Sequence, residues 1–301
     1  MEAGLAAGDT GPMVGGSSPR KSGTECMNRS ERDYWRECME TAWSLMQRLL
    51  AYPVAECGES LTMLPERARE CGVRLEFPAG KKRGKFERMF ALRESLVAPL
   101  FRVAERATAR GWLLRIEDAY RPLAVQEQGA TSEFVLSTAL AQVRWELAGA
   151  WPTAEFLHRR LACWTAIVPK FANHTSGSAL DVTVLDAATG RELDRGGVYP
   201  EFTVRTPMDS PFVSETARRN RERANELLAA EGFLPYPFEF WHYSWGDADA
   251  QLAAGSGMPG RFGPVHWDRD SGEMTPEKDV LRPLLTVAQV GNWLKQKRPA
   301  G

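Results

Sequence analysis

The sequence has no long uncharged apolar run, no block of like charge and no paired-cysteine motif, and each absence removes a class of function. Nowhere in its 301 residues is there the uncharged length that a membrane helix needs. The N-terminus, MEAGLAAGDTGPMVGGSSPRKSG, lacks the basic start and apolar stretch of a secretory signal. Its 38 basic and 39 acidic residues are interleaved, so neither a nucleic-acid surface nor an acidic-membrane surface is expected. The densest positive cluster, Lys81-Lys82-Arg83-Gly84-Lys85, reads as a solvated loop. Cys26, Cys38, Cys57, Cys71 and Cys163 are odd in number and include no C-x-x-C pair, which argues against a disulfide framework or a thiolate zinc knuckle. Reduced thiols and the missing signal together predict a cytoplasmic protein. No G-x-S-x-G elbow surrounds Ser176, Ser178 or any other serine, and Cys163 lacks the setting of a peptidase nucleophile, so serine and thiol hydrolysis are both set aside.

What is present suffices for one large folded unit with extensions, since 43% of the residues are apolar. Residues 1–28 are Gly/Ser/Pro-rich and are expected to be a disordered tail. Residues 29–85 are expected to form a helical extension packed on the core, beginning with a Ser30-capped helix whose Trp35, Met39, Trp43, Met46 and Leu50 recur at three- and four-residue spacing. The core is placed at 86–246. Within it a helix is predicted from about Glu87 to Arg110, kinked at Pro99 and stopped by Gly111. A strand, Trp112–Ile116, then delivers Asp118, Tyr120 and Arg121 at its end. Residues 131–163 read as helical with a break at Trp151-Pro152, ALDVTVLD as a strand turned by DAATGREL, Ser214 to Glu231 as a helix, and FEFWHYSW as an aromatic strand. Residues 247–301 read as a loop plus an accessory helix over Thr286–Lys297.

Histidine is scarce, with four in the chain, and two of them keep informative company. In NHTSGSALDV, residues 173–182, His174 and Asp181 are joined by small residues that let the chain turn tightly, with Gly177 able to take a positive φ. With His242 they make two imidazoles and a carboxylate, the ligand set of a catalytic zinc that keeps a fourth position open. Glu239, three residues before His242, can take a proton from a zinc-bound water and return it to a leaving amine, which is amide hydrolysis. Strict strand alternation would set Glu239 and His242 on opposite faces, so a bulge or turn is expected at Glu239. Arg121 offers a permanent forked donor for the oxyanion, with Glu117 and Asp118 placed to orient it. Asp181 and Thr183 should share one face of their strand while Val182 and Val184 pack behind. Tyr120 reads as packing, and His158 and His266 as structural, His266 at the pocket rim.

These residues resemble the zinc D,D-peptidases of the M15 type, and among them the D-alanyl-D-alanine dipeptidases. The likeness rests on ANHTSGSALD, on EFWH and on DAYRP, in that order of argument, and TPMD at 206–209 is similar to a further family element. The resemblance implies an α+β fold with a small, mostly antiparallel sheet flanked by helices, of the hedgehog-like type, with one zinc at its edge. It implies His174, Asp181 and His242 as ligands, Glu239 as base and then acid, Arg121 at the oxyanion, and Asp209 holding the substrate's amino terminus. Ala172 stands where the family carries Ser or Thr. The expected reaction is hydrolysis of D-alanyl-D-alanine to two D-alanines, with a small peptide as partner and neither nucleic acid nor membrane. Alternatives are a zinc hydrolase of the same fold acting on another dipeptide or amide in specialised metabolism, and a non-catalytic zinc-scaffold binding protein; an intact Glu239 argues against the last.

Overall fold

The computed structural model describes residues 30–80 and 86–298. The expected tail, Cys26 and the 81–85 cluster lie outside the described residues. Ser30 caps helix α1 (Glu31–Ala51) by accepting from the Asp33 amide, and Tyr34, Trp35, Met39, Ala42, Met46 and Leu49 form its buried face. Leu50, one position further on, is only half-buried. A short strand β1 (Leu61–Met63) leads directly into α2 (Leu64–Glu70).

β1 pairs antiparallel with β2 (Ala91–Arg93). The helix predicted from Glu87 therefore begins later, as α3 (Glu94–Ala109), because residues 91–93 are taken by this pairing. Pro99 lies inside α3 without ending it. The carbonyl its missing N–H leaves free belongs to Ser95, on the exposed side of the first turn where water can serve it.

The central sheet holds β3 (Trp112–Asp118), β4 (Ala179–Asp186), β5 (Leu234–Pro235) and β6 (His242–Ser244) in the order β3-β4-β6-β5, every pairing antiparallel. One sheet face is apolar, with Leu114, Ile116, Val182 and Val184 packed against Leu96, Leu100 and Val103 of α3 and Leu227 and Leu228 of α8 (Glu215–Ala229). A second apolar core gathers α1, α4 (Leu123–Ala130), α5 (Glu133–Glu146), α6 (Ala154–Ala162) and α10 (Val287–Lys297) around Trp35, Met39, Val143, Leu157, Leu161 and Val290. The break at Trp151-Pro152 separates α5 from α6. The short α7 (Asn173–Ser176) precedes β4, α9 (Ala248–Ala254) follows β6, and β7 (Val265–Trp267) pairs with β8 (Met274–Pro276). This is a mixed α+β architecture with small antiparallel sheets.

Two differences from the expected elements matter for the site. FEFWHYSW is a strand only at His242–Ser244, because residues 236–241 are spent on turns in which Glu239 N–H donates to the Tyr236 carbonyl and His242 N–H to the Glu239 carbonyl. β3 runs two residues beyond Ile116, through an irregularity between Ile116 and Asp118.

Arg160 and Glu146, both nearly inaccessible, are joined by a 2.6 Å ion pair that ties α6 to α5. Arg160 Nη1 also reaches Glu40 of α1 at 3.0 Å, so losing Glu146 leaves the buried guanidinium with only a half-exposed partner. Glu146→Ala should lower the unfolding free energy by about 3 kcal/mol, read from urea denaturation, whereas the double change Glu146→Leu with Arg160→Met should cost clearly less.

Candidate metal centre

The site is built on a row of cross-strand neighbours. Asp181 on β4 is paired with Asp118 on β3 and with His242 on β6, and directly paired residues project from the same sheet face. The β3 irregularity makes this possible. Regular pairing beyond Ile116↔Val182 would set Glu117 opposite Asp181; the extra residue brings Asp118 there instead. His174 joins the row from α7, which ends at Gly177 with φ 70°, so the chain reverses sharply into β4.

The donor atoms of His174, Asp181 and His242 all lie within 4.8 Å of one another and all three residues are buried. His174 Nδ1 lies 2.8 Å from the Ala119 carbonyl, which fixes that nitrogen as the N–H donor and leaves Nε2, 3.2 Å from Asp181 Oδ1, as the free lone pair. His242 approaches the same oxygen through Nδ1 at 3.0 Å. The two rings meet edge to face with centroids 5.0 Å apart. Asp181 Oδ2 accepts from the Tyr199 hydroxyl at 2.9 Å. Two imidazole nitrogens and one carboxylate oxygen converging in this way suit a tetrahedral metal with an open position.

Burial, together with Arg121, lowers His174 to about 4, so it is a neutral ligand-type imidazole. Burial pushes against the charge of Asp181, but both imidazoles hold it well below the usual carboxylate range. For His242 burial likewise opposes charge, and the hydrogen bond and charge of Asp181, with Glu239 and Asp249, raise it to about 9. Glu239 is carried up to about 7 chiefly by burial, despite His242. A carboxyl group held near neutrality is suited to taking a proton and giving it back.

Glu239 Oε2 stands 4.0 Å from His242 Nδ1, on the turn between Tyr236 and His242. Arg121 is anchored on two sides: its Nε donates to Asp118 Oδ2 at 2.9 Å, its Nη2 to the same oxygen, and its Nη1 to Gln126 at 2.5 Å. Its backbone N–H donates to the His174 carbonyl at 3.0 Å. Glu117 lies against Thr183 and Arg115 rather than Arg121. His174, Asp181, His242, Glu239 and Arg121 all line one cavity of about 720 Å³. That cavity lies between the polar sheet face and the second core, with Val135, Trp164, Phe171 and Phe202 among its walls.

The other residues singled out by sequence are placed as follows. Asp209 is exposed and does not line the cavity. Met208 before it is drawn into the core, and Arg221 holds the carbonyls of Pro207 and Met208, which turns Asp209 outward. Ala172 is buried on the cavity wall. Tyr120 packs near Trp267 and donates to the Val265 carbonyl. His158 meets the Leu285 carbonyl, and His266 pairs with Glu277 away from the cavity. Ser176 and Ser178 are engaged with the Asn173 carbonyl and Asp247. Cys57 and Cys71 are exposed thiols and Cys163 a buried one. Sequence reasoning did not find Tyr199, Gln126 or Asp249, all of which line the cavity. Burial and the neighbouring Asp247 raise Asp249 to about 7.

A family model described as D-ala-D-ala dipeptidase, among the M15 peptidases, matches residues 79–256, more than half of the chain. A D-alanyl-D-alanine dipeptidase of Synechocystis sp. is 26% identical over 227 residues, spanning 66% of this chain and 86% of that protein. Proteins of the same name from Streptomyces coelicolor and Enterococcus faecium are 28% and 25% identical, spanning 50% and 49% of this chain and 71% and 69% of their own.

Gly177 is the tightest backbone requirement near the donor set. A Cβ there would run into Leu61 Cδ2, on a residue already in the left-handed region. Gly177→Ala should cost about 1–3 kcal/mol of stability by chemical denaturation. Adding Leu61→Ala should relieve the contact but not the backbone strain, so full recovery in the double variant would contradict this account.

Proposed function

From the membership of this chain in the M15 peptidase family, whose model is described as D-ala-D-ala dipeptidase, we propose that it is a zinc-dependent dipeptidase that splits D-alanyl-D-alanine into two D-alanines. The observation that carries this reading is the convergence of His174, Asp181 and His242 beside Glu239 and Arg121 on one cavity. The relatives that share the name supply the substrate. The fold is of the hedgehog-like D,D-peptidase type in this reading, and a sequence without a C-x-x-C pair or a regular cysteine spacing suits a reducing, cytoplasmic setting.

His174 Nε2, His242 Nδ1 and an Asp181 oxygen would hold the ion, with Ala119 and Tyr199 fixing the orientation of the donors. When bound, zinc supplies Lewis acidity and a nucleophile at neutral pH. Glu239 receives the proton of the attacking water and returns it to the leaving amine; its elevated affinity for protons suits both halves. Arg121, held by Asp118 and Gln126, presents fixed positive charge to the developing oxyanion.

The test is D-alanine release by zinc-loaded protein from D-alanyl-D-alanine and from an N-acylated peptide ending in it. Release from the free dipeptide alone is the expected result; release from the acylated peptide would make it a carboxypeptidase, and none from either would remove this substrate. Glu239→Gln should keep one zinc per chain and lose about 10²–10⁴-fold in kcat, while His174→Ala should lower the zinc content itself. Full activity in Glu239→Gln would overturn the base assignment.

A further inference from the structure

The dipeptidase reaction uses the donor set, Glu239 and Arg121, and leaves part of the cavity wall without a task. Met46 and Leu49 of α1 line the cavity, although they precede residue 79, where the family match begins. They belong to one apolar cluster with Ala248, against which Phe171 and Tyr236 pack, and Phe171 and Tyr236 line the cavity too. D-Alanyl-D-alanine carries only two methyl side chains, which do not call for such a wall.

Asp249 follows Ala248 directly in α9, is 6% exposed and lines the same cavity. Its neighbour Asp247 is occupied by structure, accepting from the Ser178 hydroxyl, the Ser244 hydroxyl and the Ala250 amide. Asp249 is not. Among the described residues its carboxylate accepts one hydrogen bond, at 3.4 Å from the Asn173 side-chain amide, forms no ion pair with a lysine or arginine, and has His242, a candidate metal ligand, as its charged neighbour. A buried carboxylate with so little compensation is costly unless a cation completes it. Apolar residues and a carboxylate lining one cavity match an aliphatic stem with a charged head, the amphipathic form of a lysine side chain.

We propose that Asp249, with the apolar surface of Met46, Leu49, Phe171 and Tyr236, forms a subsite for an aliphatic side chain ending in an ammonium group, so that the dipeptide this chain prefers carries a lysine- or ornithine-type residue. The proposal rests on the dipeptidase reading for the position of the scissile bond, but the subsite can be tested without turnover. The peptide's own amino terminus offers the same ammonium chemistry. The apolar cluster around Ala248, next to Asp249 in α9, favours the side chain.

The experiment compares D-Ala-D-Lys and D-Lys-D-Ala with the corresponding norleucine dipeptides, which keep the aliphatic stem and lose the charge. It measures kcat/KM in zinc-loaded full-length protein and, by calorimetry, Kd in zinc-loaded Glu239→Gln protein. One lysine dipeptide should exceed its norleucine counterpart by tenfold or more in both readouts, and Asp249→Asn should bring that ratio close to one. Asp249→Glu should restore part of it, which separates loss of charge from damage to the fold. A lysine-to-norleucine ratio near one in the parent protein, or a ratio unchanged by Asp249→Asn, overturns the proposal. If Asp249→Asn lowers the affinity of the lysine and norleucine dipeptides equally, Asp249 serves the amino terminus and the side-chain subsite falls. Absence of hydrolysis with the calorimetric ratio intact would remove the dipeptidase reading and leave the subsite standing.

Discussion

The site depends on the register of the central sheet at Asp181. Its carboxylate is fixed between Asp118 and His242 by backbone pairing on both sides, so three polar side chains stand in a row on one face while Val182 and Val184 anchor the other. A slip of one residue would turn Asp181 into the apolar layer. The irregularity at Glu117 is part of the same constraint, because it brings Asp118 beside Asp181 and so places the carboxylate that holds Arg121. The donor set and the Arg121 guanidinium are thus set by one piece of backbone hydrogen bonding, and the apolar core behind the sheet is what keeps it there.

The charges in this row restrain one another. Asp181 has an imidazole on each side and a tyrosine hydroxyl on its second oxygen, which compensates a carboxylate that would otherwise be expensive to bury. His174 is kept neutral chiefly by burial and is aimed by the Ala119 carbonyl, a contact with backbone and therefore insensitive to the titration of any side chain. Glu239 stands slightly outside the cluster, on a turn, where burial favours its protonated form and a charged partner favours its carboxylate. That difference in footing separates a group suited to moving a proton from groups suited to holding an ion.

The sequence made the local half of this legible. His174, Gly177 and Asp181 could be read together because one tight reversal carries both donors, and the conflict between strand alternation and the Glu239/His242 spacing correctly demanded a turn, which the structure supplies. The α1 stripe, the Trp151-Pro152 break and the Ser214-capped helix followed from periodicity and capping. What failed was tertiary. β1 and β2 are three-residue strands whose pairing overrides a helical pattern at 91–93. Tyr199 lies on a loop with no periodic signal, and its role exists only because that loop returns over Asp181. Asp209 sits in a suggestive tetrapeptide, yet burial of Met208 decides which way it faces.

The two cores explain how a site built on a small sheet acquires a cavity. A four-stranded sheet covered on one face by α3 and α8 presents its polar face outward, where a metal site would be open to water. The second core, with α1, α5 and α6, supplies the opposite wall, and the cavity lies between the two. Burial there strengthens the charge interactions around Asp181, Glu239 and Arg121. The cavity wall includes Met46 and Leu49 of α1, ahead of the matched family region, together with Phe171, Tyr236 and Asp249 within it. Substitutions in α1 can then reshape what the cavity accepts while the register at Asp181, and with it the donor set, stays fixed by the sheet.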